Sequence, residues 1–230
     1  MLPIEHAQKV IRSVAEKSNR AILFYSCGKD SIALLDMMAQ ELDEVVCVFM
    51  YFVKDLEHID KYIRFSKSKY KNVRFEQVPH WILTQIHNTG LYCVPKKTRL
   101  MKLSTIIQAM KLKTGIDYVF IGEKQADNMN RRIKLRQYEL EAISTTKNVY
   151  PLSKWRDGDV LTYIRKKRLP IPINYGKKKN RSVGVVFDED VYVWLRENYP
   201  EDLQKILKEY PLSEKILFDY DRKMETNKRV

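Results

Sequence analysis

The residues best suited to chemistry stand together near the start of the chain, in the segment Tyr25-Ser26-Cys27-Gly28-Lys29-Asp30-Ser31. Gly28 lets the backbone approach a ligand closely, and Lys29 adds a positive charge. Ser26 and Ser31 supply hydroxyl donors, and Asp30 is able to cap a helix or to help hold Mg²⁺. These residue types in one short segment are typical of a loop that binds phosphate groups.

A buried strand is predicted before this loop and a largely buried helix after it. Residues 21–25 form a short apolar run rich in β-formers, and residues 31–42 are strong helix formers that are apolar on most sides. Ligands of open α/β sheets bind at the carboxyl ends of strands, beside helix N-termini that attract anions. The spacing is neither that of a Walker loop nor GxGxxG.

Strands and helices alternate through the first two thirds of the chain. Further strands are predicted at residues 44–52, 73–79, 117–121 and 148–152, and further helices at 56–70 and at 98–113, where Thr98 is a candidate cap. This alternation favours an α/β fold with an open, mostly parallel, doubly wound sheet of Rossmann-like type.

The last third of the chain reads as helical. Helices are predicted at 158–167, 188–198 and 201–209, with no clear strand between them. We therefore expect two parts: a nucleotide-binding α/β domain, residues 1–187, and a helical extension packed on it, residues 188–230.

The first loop resembles the pyrophosphate-binding loop SGGxDS of the PP-loop ATP pyrophosphatases. The exception is Cys27, which stands where that family usually has glycine. The resemblance implies an adenine nucleotide alpha-hydrolase-like fold. A thiol at a helix N-terminus can be reactive. The alternative, which we favour, is that Cys27 is a small residue in the place of glycine.

Residues 149–160 are similar to the P-L-x-x-W-x-x-x-D-V segment of one PP-loop branch. That branch holds the phosphoadenosine phosphosulfate (PAPS) reductases, the ATP sulfurylase small subunits and the FAD synthases. Pro151 and Trp155 carry the match. Asp157 is expected to cap the helix that follows, and Trp155 is a candidate for lining a nucleotide pocket, with simple packing as the alternative.

Two further segments match more loosely. Residues 122–132 are similar to the family's G-x-R-x-x-E/D-S-x-x-R segment, in which Gly122 and either Arg131 or Arg132 fit best. An arginine there is expected to neutralise the α-phosphate or the leaving pyrophosphate. Residues 175–184 lie where the related reductases have Y-x-S-I-G. A surface basic pair and a solvated basic loop are the respective alternatives.

The resemblance implies an adenylyl transferase or ATP pyrophosphatase, with attack on the α-phosphorus of ATP and release of pyrophosphate. The expected cofactors are ATP and Mg²⁺. The Mg²⁺ ion would bridge the β- and γ-phosphates of ATP. The residues expected to act directly are Lys29, Asp30, Arg131 and Arg132, with Asp30 also as a metal ligand. The residues expected to bind the nucleotide are Ser26, Cys27, Gly28, Ser31, Gly122, Trp155, Arg181, Ser182 and Gly184.

The acceptor is expected to be a small anion, from which no proton need be removed. The four histidines, His6, His58, His80 and His87, accordingly lie outside the matched segments. Lys96 and Lys97 are weak candidates for substrate contacts, because the family often places such residues before this helix.

Three other functions stay open. Reduction or binding of a sulfonucleotide (PAPS or APS) is one, but the reductases use a cysteine in a C-terminal tail and no cysteine follows Cys93. Nucleic-acid sulfur modification (tRNA thiolation or DNA phosphorothioation) is favoured by the basic run 165–168, whereas the absence of a CxxC pair disfavours its iron–sulfur versions. The third is a nucleotide-binding module without activity.

Composition sets the remaining limits. The 230 residues are 44% hydrophobic and 31% charged, as in a folded globular protein. No apolar run suggests a membrane span, and no secretory signal is expected. Three well-separated cysteines exclude a zinc ribbon and a dense disulfide framework, so we expect a cytoplasmic location.

The net charge of the chain is +13. This surplus suits phosphate-bearing partners, including nucleic acid; the alternative is that it serves only solubility. The sequence leaves a homo-oligomer open.

Overall fold

A five-stranded sheet organises the chain in the computed structural model, which describes residues 2–173 and 187–228. The strands are β1 (Arg20–Phe24), β2 (Glu44–Tyr51), β3 (Val73–Pro79), β4 (Val119–Phe120) and β5 (Asn148–Val149). Their order is β3-β2-β1-β4-β5, and β1 pairs in parallel with both β2 and β4, as β4 does with β5. The predicted open, mostly parallel α/β fold is confirmed.

The described part of the chain contains ten α-helices. They are α1 (Pro3–Ala15), α2 (Lys29–Met38), α3 (Glu57–Lys69), α4 (Leu83–Thr89), α5 (Leu103–Thr114), α6 (Met129–Arg136), α7 (Asp157–Lys166), α8 (Glu189–Asn198), α9 (Pro200–Glu209) and α10 (Lys215–Lys228). All six helices predicted from the sequence are present, and α1, α4, α6 and α10 are additional. Within these described residues, none of the helices has both the length and the apolar character that crossing a bilayer requires.

Two local predictions differ from the structure. Thr98 does not cap α5, which begins at Leu103, because Asn88 binds it from α4. The Asn88 side-chain amide donates to the Thr98 carbonyl oxygen and accepts from the Thr98 N–H, both at 2.8 Å. Strands β4 and β5 are shorter than predicted, although the Ile121 N–H still donates to the Val149 carbonyl oxygen at 2.9 Å beyond their ends.

Helix α2 is buried along most of its length, where it packs with α1 and α7. Its one buried carboxylate, Asp36, is 3% exposed and accepts hydrogen bonds from the hydroxyl groups of Tyr70 at 2.5 Å and Tyr163 at 2.8 Å. Because a buried carboxylate is costly without partners, these bonds fix the position of α2 between the ends of α3 and α7.

The chain divides into two compact units. The first comprises Met1–Met50, Tyr62–Val78 and Leu103–Pro172, and it holds nearly all of the sheet. The second comprises Tyr51–Lys61, Pro79–Lys102 and Ile173–Val230. The second unit thus groups the C-terminal helices with two earlier segments of the chain. The proposed boundary at residue 187 stays a prediction.

A buried contact between Asp202 and His58 lies in the second unit. The Asp202 carboxylate, 1% exposed, accepts the backbone N–H groups of Glu57 and His58 at 2.9 Å, and so caps the start of α3 from α9. It also lies 2.6 Å from His58 Nδ1. Burial lowers the pKa of His58 from 6.5, because it disfavours the imidazolium more than Asp202 favours it.

We predict that acid weakens the fold through His58. In the unfolded chain His58 titrates near 6.5, so its contribution to stability is complete above that pH and is lost as the pH falls towards the lower pKa of the folded state. The melting temperature should fall between about pH 8 and about pH 5.5, and the fall should be smaller in His58→Gln. Differential scanning calorimetry measures both, with His87→Gln as the control for losing an imidazole. An unchanged pH dependence in His58→Gln would contradict the prediction.

Candidate functional site

The strand order reverses between β1 and β4, and the loops that follow these two strands meet there. In open α/β sheets, ligands bind in the crevice outside the strand ends at such a point. A Cβ built on Gly122, in the loop after β4, would lie 3.1 Å from Asp30 Cβ at the start of α2. Glycine at position 122 therefore permits the close approach of the two loops.

The loop after β1 adopts a backbone that suits glycine. Cys27 has φ +59°, in the left-handed region that residues with a side chain rarely adopt. Gly28 is the N-cap of α2, and its carbonyl oxygen accepts the Ser31 hydroxyl at 2.9 Å. The Ser26 and Ser31 hydroxyl oxygens lie 3.4 Å apart. Glycine would adopt this backbone without strain, and Cys27 adds a buried thiol to it.

The N-terminus of α2 presents backbone donors that the helix itself does not use. The first hydrogen bond of α2 runs from the Ile32 N–H to the Gly28 carbonyl oxygen at 3.0 Å. The N–H groups of Lys29, Asp30 and Ser31 come before it, and none has an acceptor within residues 2–173 and 187–228. Such donors, together with the positive end of the helix dipole, favour an anion.

Lys124, which the sequence analysis did not single out, lies at the centre of the site. Its side chain is 2% exposed, and Nζ lies 2.7 Å from Asp30 Oδ1, 3.1 Å from Asp127 Oδ1 and 3.4 Å from Asp157 Oδ1. Burial alone would lower the pKa of Lys124, but the charges and hydrogen bonds of Asp30 and Asp127 together raise it. Lys124 holds the arginine position of the G-x-R-x-x-E/D pattern, and that signal would have identified it.

Lys29 and Asp157 also face this cluster. Lys29 Nζ lies 3.4 Å from Asp157 Oδ1, and its side chain is only 12% exposed. The predicted capping role of Asp157 is wrong. Arg156 is the N-cap of α7, and the Asp159 carboxylate accepts the Arg156 N–H at 2.7 Å. Asp157 begins the helix, and its carboxylate contacts Lys29 and Lys124 instead.

The two candidate arginines lie on α6 and differ in their surroundings. Arg131 is half-buried and donates to Asp127 Oδ2 at 2.6 Å, with Glu123 3.7 Å away. Arg132 is exposed, and its side chain has no ion pair within the described part of the chain. The structure therefore places Arg131 beside the Lys124 cluster through Asp127. A catalytic role for either arginine stays a prediction.

Trp155 is enclosed in the first unit. It is 2% exposed, its indole N–H donates to the Pro3 carbonyl oxygen at 2.9 Å, and its ring meets Tyr163 edge to face at 5.7 Å. This geometry gives Trp155 a packing role, whereas a contact with a nucleotide stays a prediction. Three other candidates, Arg181, Ser182 and Gly184, lie outside the described residues. Lys96 and Lys97 are exposed in the second unit, between α4 and α5.

The carboxylates of Asp30, Asp127 and Asp157 lie around the ammonium group of Lys124 rather than around a space for a metal ion. Among the described residues no group of three or more His, Cys, Asp or Glu side chains is arranged to hold a metal ion. Asp30 Oδ1 is occupied by Lys124, so a Mg²⁺ ion bound here would take most of its ligands from phosphate oxygens and water. The assignment of Asp30 as a metal ligand stays a prediction.

The α/β fold, with two loops meeting where the strand order reverses, has the arrangement that many nucleotide-binding proteins share. The family model of the phosphoadenosine phosphosulfate reductase domain matches residues 20–188, well over half of the chain. The chain belongs to this family, and the resemblance drawn from the sequence motifs is confirmed.

Several known proteins are similar to this chain. Sulfate adenylyltransferase subunit 2 of Pseudomonas fluorescens (strain Pf0-1) is 25% identical over 237 aligned positions, which cover 86% of this chain and 74% of that protein. The protein of the same name from Chelativorans sp. (strain BNC1) is 24% identical, and the alignment covers 79% of this chain and 70% of that protein.

Two solved structures are also similar to this chain. PAPS reductase from Candida auris, in a phosphate complex, has a TM-score of 0.46 at 17% identity, and the match covers 72% of this chain and 81% of that chain. NH3-dependent NAD synthetase from Campylobacter jejuni also has a TM-score of 0.46, at 13% identity, and covers 94% and 92%.

We predict that the backbone, not the thiol, is what matters at position 27. Cys27→Gly should keep the stability of the wild type within about 1 kcal/mol, because the loss of a small buried side chain offsets the relief of the left-handed backbone. Cys27→Val should lower stability by about 1–2 kcal/mol, because a β-branched residue is poorly tolerated at positive φ. Urea unfolding measures both. Equal losses in the two variants would point to the thiol instead.

We also predict that Lys124 stabilises the junction of the two loops. Lys124→Met should cost about 3 kcal/mol, because it leaves partly buried carboxylates without their counter-charge. Lys124→Arg keeps the charge and should cost less. Thermal and urea unfolding test this pair, and similar losses for both variants would show that packing rather than charge is responsible.

Proposed function

We propose that this chain binds ATP at the loop after β1 and transfers its adenylyl group to a small anionic acceptor such as sulfate. An oxygen of the acceptor attacks the α-phosphorus. The bond from the α-phosphorus to the oxygen that bridges the α- and β-phosphates breaks, and pyrophosphate leaves with that oxygen. The observation that carries the proposal is the group of unused N–H donors and Lys29 at the N-terminus of α2, placed where the strand order reverses.

The start of α2 supplies what a phosphate chain requires. The N–H groups of residues 29–31 offer donors to phosphate oxygens, and the hydroxyls of Ser26 and Ser31 lie on the same loop. Lys29 adds the charge that stabilises a departing pyrophosphate. In phosphoryl and nucleotidyl transfer, positioning and charge neutralisation supply most of the catalysis.

Lys124 acts on this loop as a positioning residue. Its ammonium group bonds to Asp30 on α2 and to Asp127 in the loop after β4, so it fixes the distance between the two loops. It also adds a positive charge near the strand ends without becoming neutral, since its pKa is raised. Asp157 limits the reach of Lys29 by holding Nζ at 3.4 Å.

The acceptor class is consistent with the lack of a histidine among the described residues of the site. An anion such as sulfate or a carboxylate has no proton to remove before it attacks. Of the described residues around Lys29 and Lys124, none is a histidine. Mg²⁺, when bound to the phosphates, would supply further charge neutralisation, and Asp30 is the residue of this loop able to contact it.

The comparisons support this reaction over its alternatives. Family membership and the relatives that are named sulfate adenylyltransferase subunit 2 support a nucleotide-binding enzyme of sulfonucleotide chemistry. Those relatives carry an adenylyltransferase name, which favours ATP and sulfate over PAPS and a reductant. By the same relationship, we propose that a second protein takes part in turnover, because the relatives are named as one subunit.

We predict that ATP raises the melting temperature of the chain and that Lys29→Ala loses most of this effect. Removing a charge-assisted contact to a phosphate should weaken binding about 10- to 100-fold. Lys9→Ala, an exposed lysine on α1, is the matched control and should bind ATP as the wild type does. Isothermal titration calorimetry with ATP, AMP and PAPS, each with and without Mg²⁺, measures the affinities.

The reaction itself is tested by pyrophosphate release from ATP with sulfate, phosphate or a carboxylate as the acceptor. Release that depends on one of these anions would support adenylyl transfer. Binding of PAPS but not ATP, with sulfite released in the presence of thioredoxin, would favour sulfonucleotide reduction instead. Binding of no nucleotide would contradict the proposal.

A further inference from the structure

The positive charge of the chain is concentrated in two segments. Residues 61–75 contain six lysines and arginines, residues 160–187 contain eight, and neither segment contains an aspartate or a glutamate. Together they hold 14 of the 42 basic residues, so the remaining 28 face 29 acidic residues, and the rest of the chain has a net charge of −1. The whole of the +13 surplus therefore belongs to these segments.

The fold brings the described parts of both segments together within the first unit. Tyr70 from one segment and Tyr163 from the other donate to the same buried carboxylate, Asp36. The Tyr62 hydroxyl, near the start of the first segment, donates to the Ile171 carbonyl oxygen at 3.0 Å. Tyr70 directly follows α3 and Tyr163 lies near the end of α7, so the lysines and arginines next to these two tyrosines lie near one another.

We call this region the basic patch and define it by seven exposed residues: Lys67, Lys69, Lys71, Arg165, Lys166, Lys167 and Arg168. Lys69 Nζ lies 3.3 Å from Asp36 Oδ1. The other six have no ion pair within residues 2–173 and 187–228. The C-terminal ends of two helices compensate only about half a charge each, so most of the positive charge is unbalanced.

We propose that the basic patch binds the phosphodiester backbone of a nucleic acid. Clustered lysines and arginines that mostly lack acidic partners gain affinity by neutralising phosphates and releasing counterions. A lipid surface is the weaker fit, because membrane-bound helices present an apolar face and the apolar residues of α7, Val160, Tyr163 and Ile164, are buried in the core. This inference goes beyond the proposed adenylyl transfer and does not depend on it.

Two charge-matched variants test the patch. The patch variant carries Arg165→Gln, Lys166→Gln, Lys167→Gln and Arg168→Gln. The control variant carries Lys9→Gln, Lys17→Gln, Lys102→Gln and Lys208→Gln, four exposed lysines outside the patch that have no ion pair within the described part of the chain. Both variants lose four of the 13 surplus charges, so they differ only in where the charge is removed.

Fluorescence anisotropy measures binding to a labelled tRNA transcript and to a labelled DNA duplex over a series of salt concentrations. The wild type should bind at least one of them with strong salt dependence. The patch variant should bind roughly 10- to 100-fold more weakly, with a slope of log K against log salt that is shallower by about 3. The control variant should keep the wild-type slope within about one unit.

Three outcomes would overturn the proposal: no binding of either nucleic acid by the wild type at about 50 mM salt, equal loss in both variants, or binding only to vesicles that contain phosphatidylserine. Binding of only the tRNA or only the duplex supports the proposal and identifies the nucleic acid. Circular dichroism and thermal unfolding check the fold of each variant. If the patch variant does not fold, Lys67→Gln with Lys71→Gln and Lys166→Gln replaces it.

Discussion

A single buried ammonium group connects the parts of the candidate site. Lys124 enters from the loop after β4 and bonds to Asp30 at the start of α2, with Asp127 and Asp157 within 3.4 Å. Because a buried charge is stable only when it is paired, the position of each loop depends on the other. The unused N–H donors and Lys29 thereby acquire a fixed position relative to the strand ends, which electrostatic catalysis requires.

Helices α7 and α2 both begin at the Lys124 cluster and extend away from the strand ends. Helix α7 begins at Asp157 in the Lys124 cluster and ends in the basic patch, a length of about 15 Å for its ten residues. Helix α2 carries Asp30 in its first turn and Asp36 further along, where Tyr70, just after α3, and Tyr163 of α7 converge. One pair of helices thus supports both the proposed ATP site and the proposed nucleic-acid surface.

The elements that were predicted correctly are those with a strong local pattern of apolar residues. The buried runs of β1 and β2 and the alternation of strands with helices predicted the parallel sheet, because buried parallel strands are continuously apolar. Helix α1 carried a readable signal in Ala7, Val10, Ile11 and Val14, which are spaced for one helix face and are fully buried. Thr98 and Asp157 both suit a helix cap, yet contacts with Asn88 and Lys124 fixed their roles.

The fold class, the family and the loop at the strand ends could be predicted from the amino-acid sequence, since these rest on periodicity and on contiguous motifs. The folded chain was needed to show that Cys27 adopts a left-handed backbone, that Lys124 is buried among three carboxylates, and that two basic segments meet at Asp36. Burial and charge pairing are set by residues far apart in the chain, such as Asp36 and Tyr163, 127 positions apart, and His58 and Asp202, 144 positions apart. No local pattern shows that Lys124 will also meet Asp30, which lies 94 positions away.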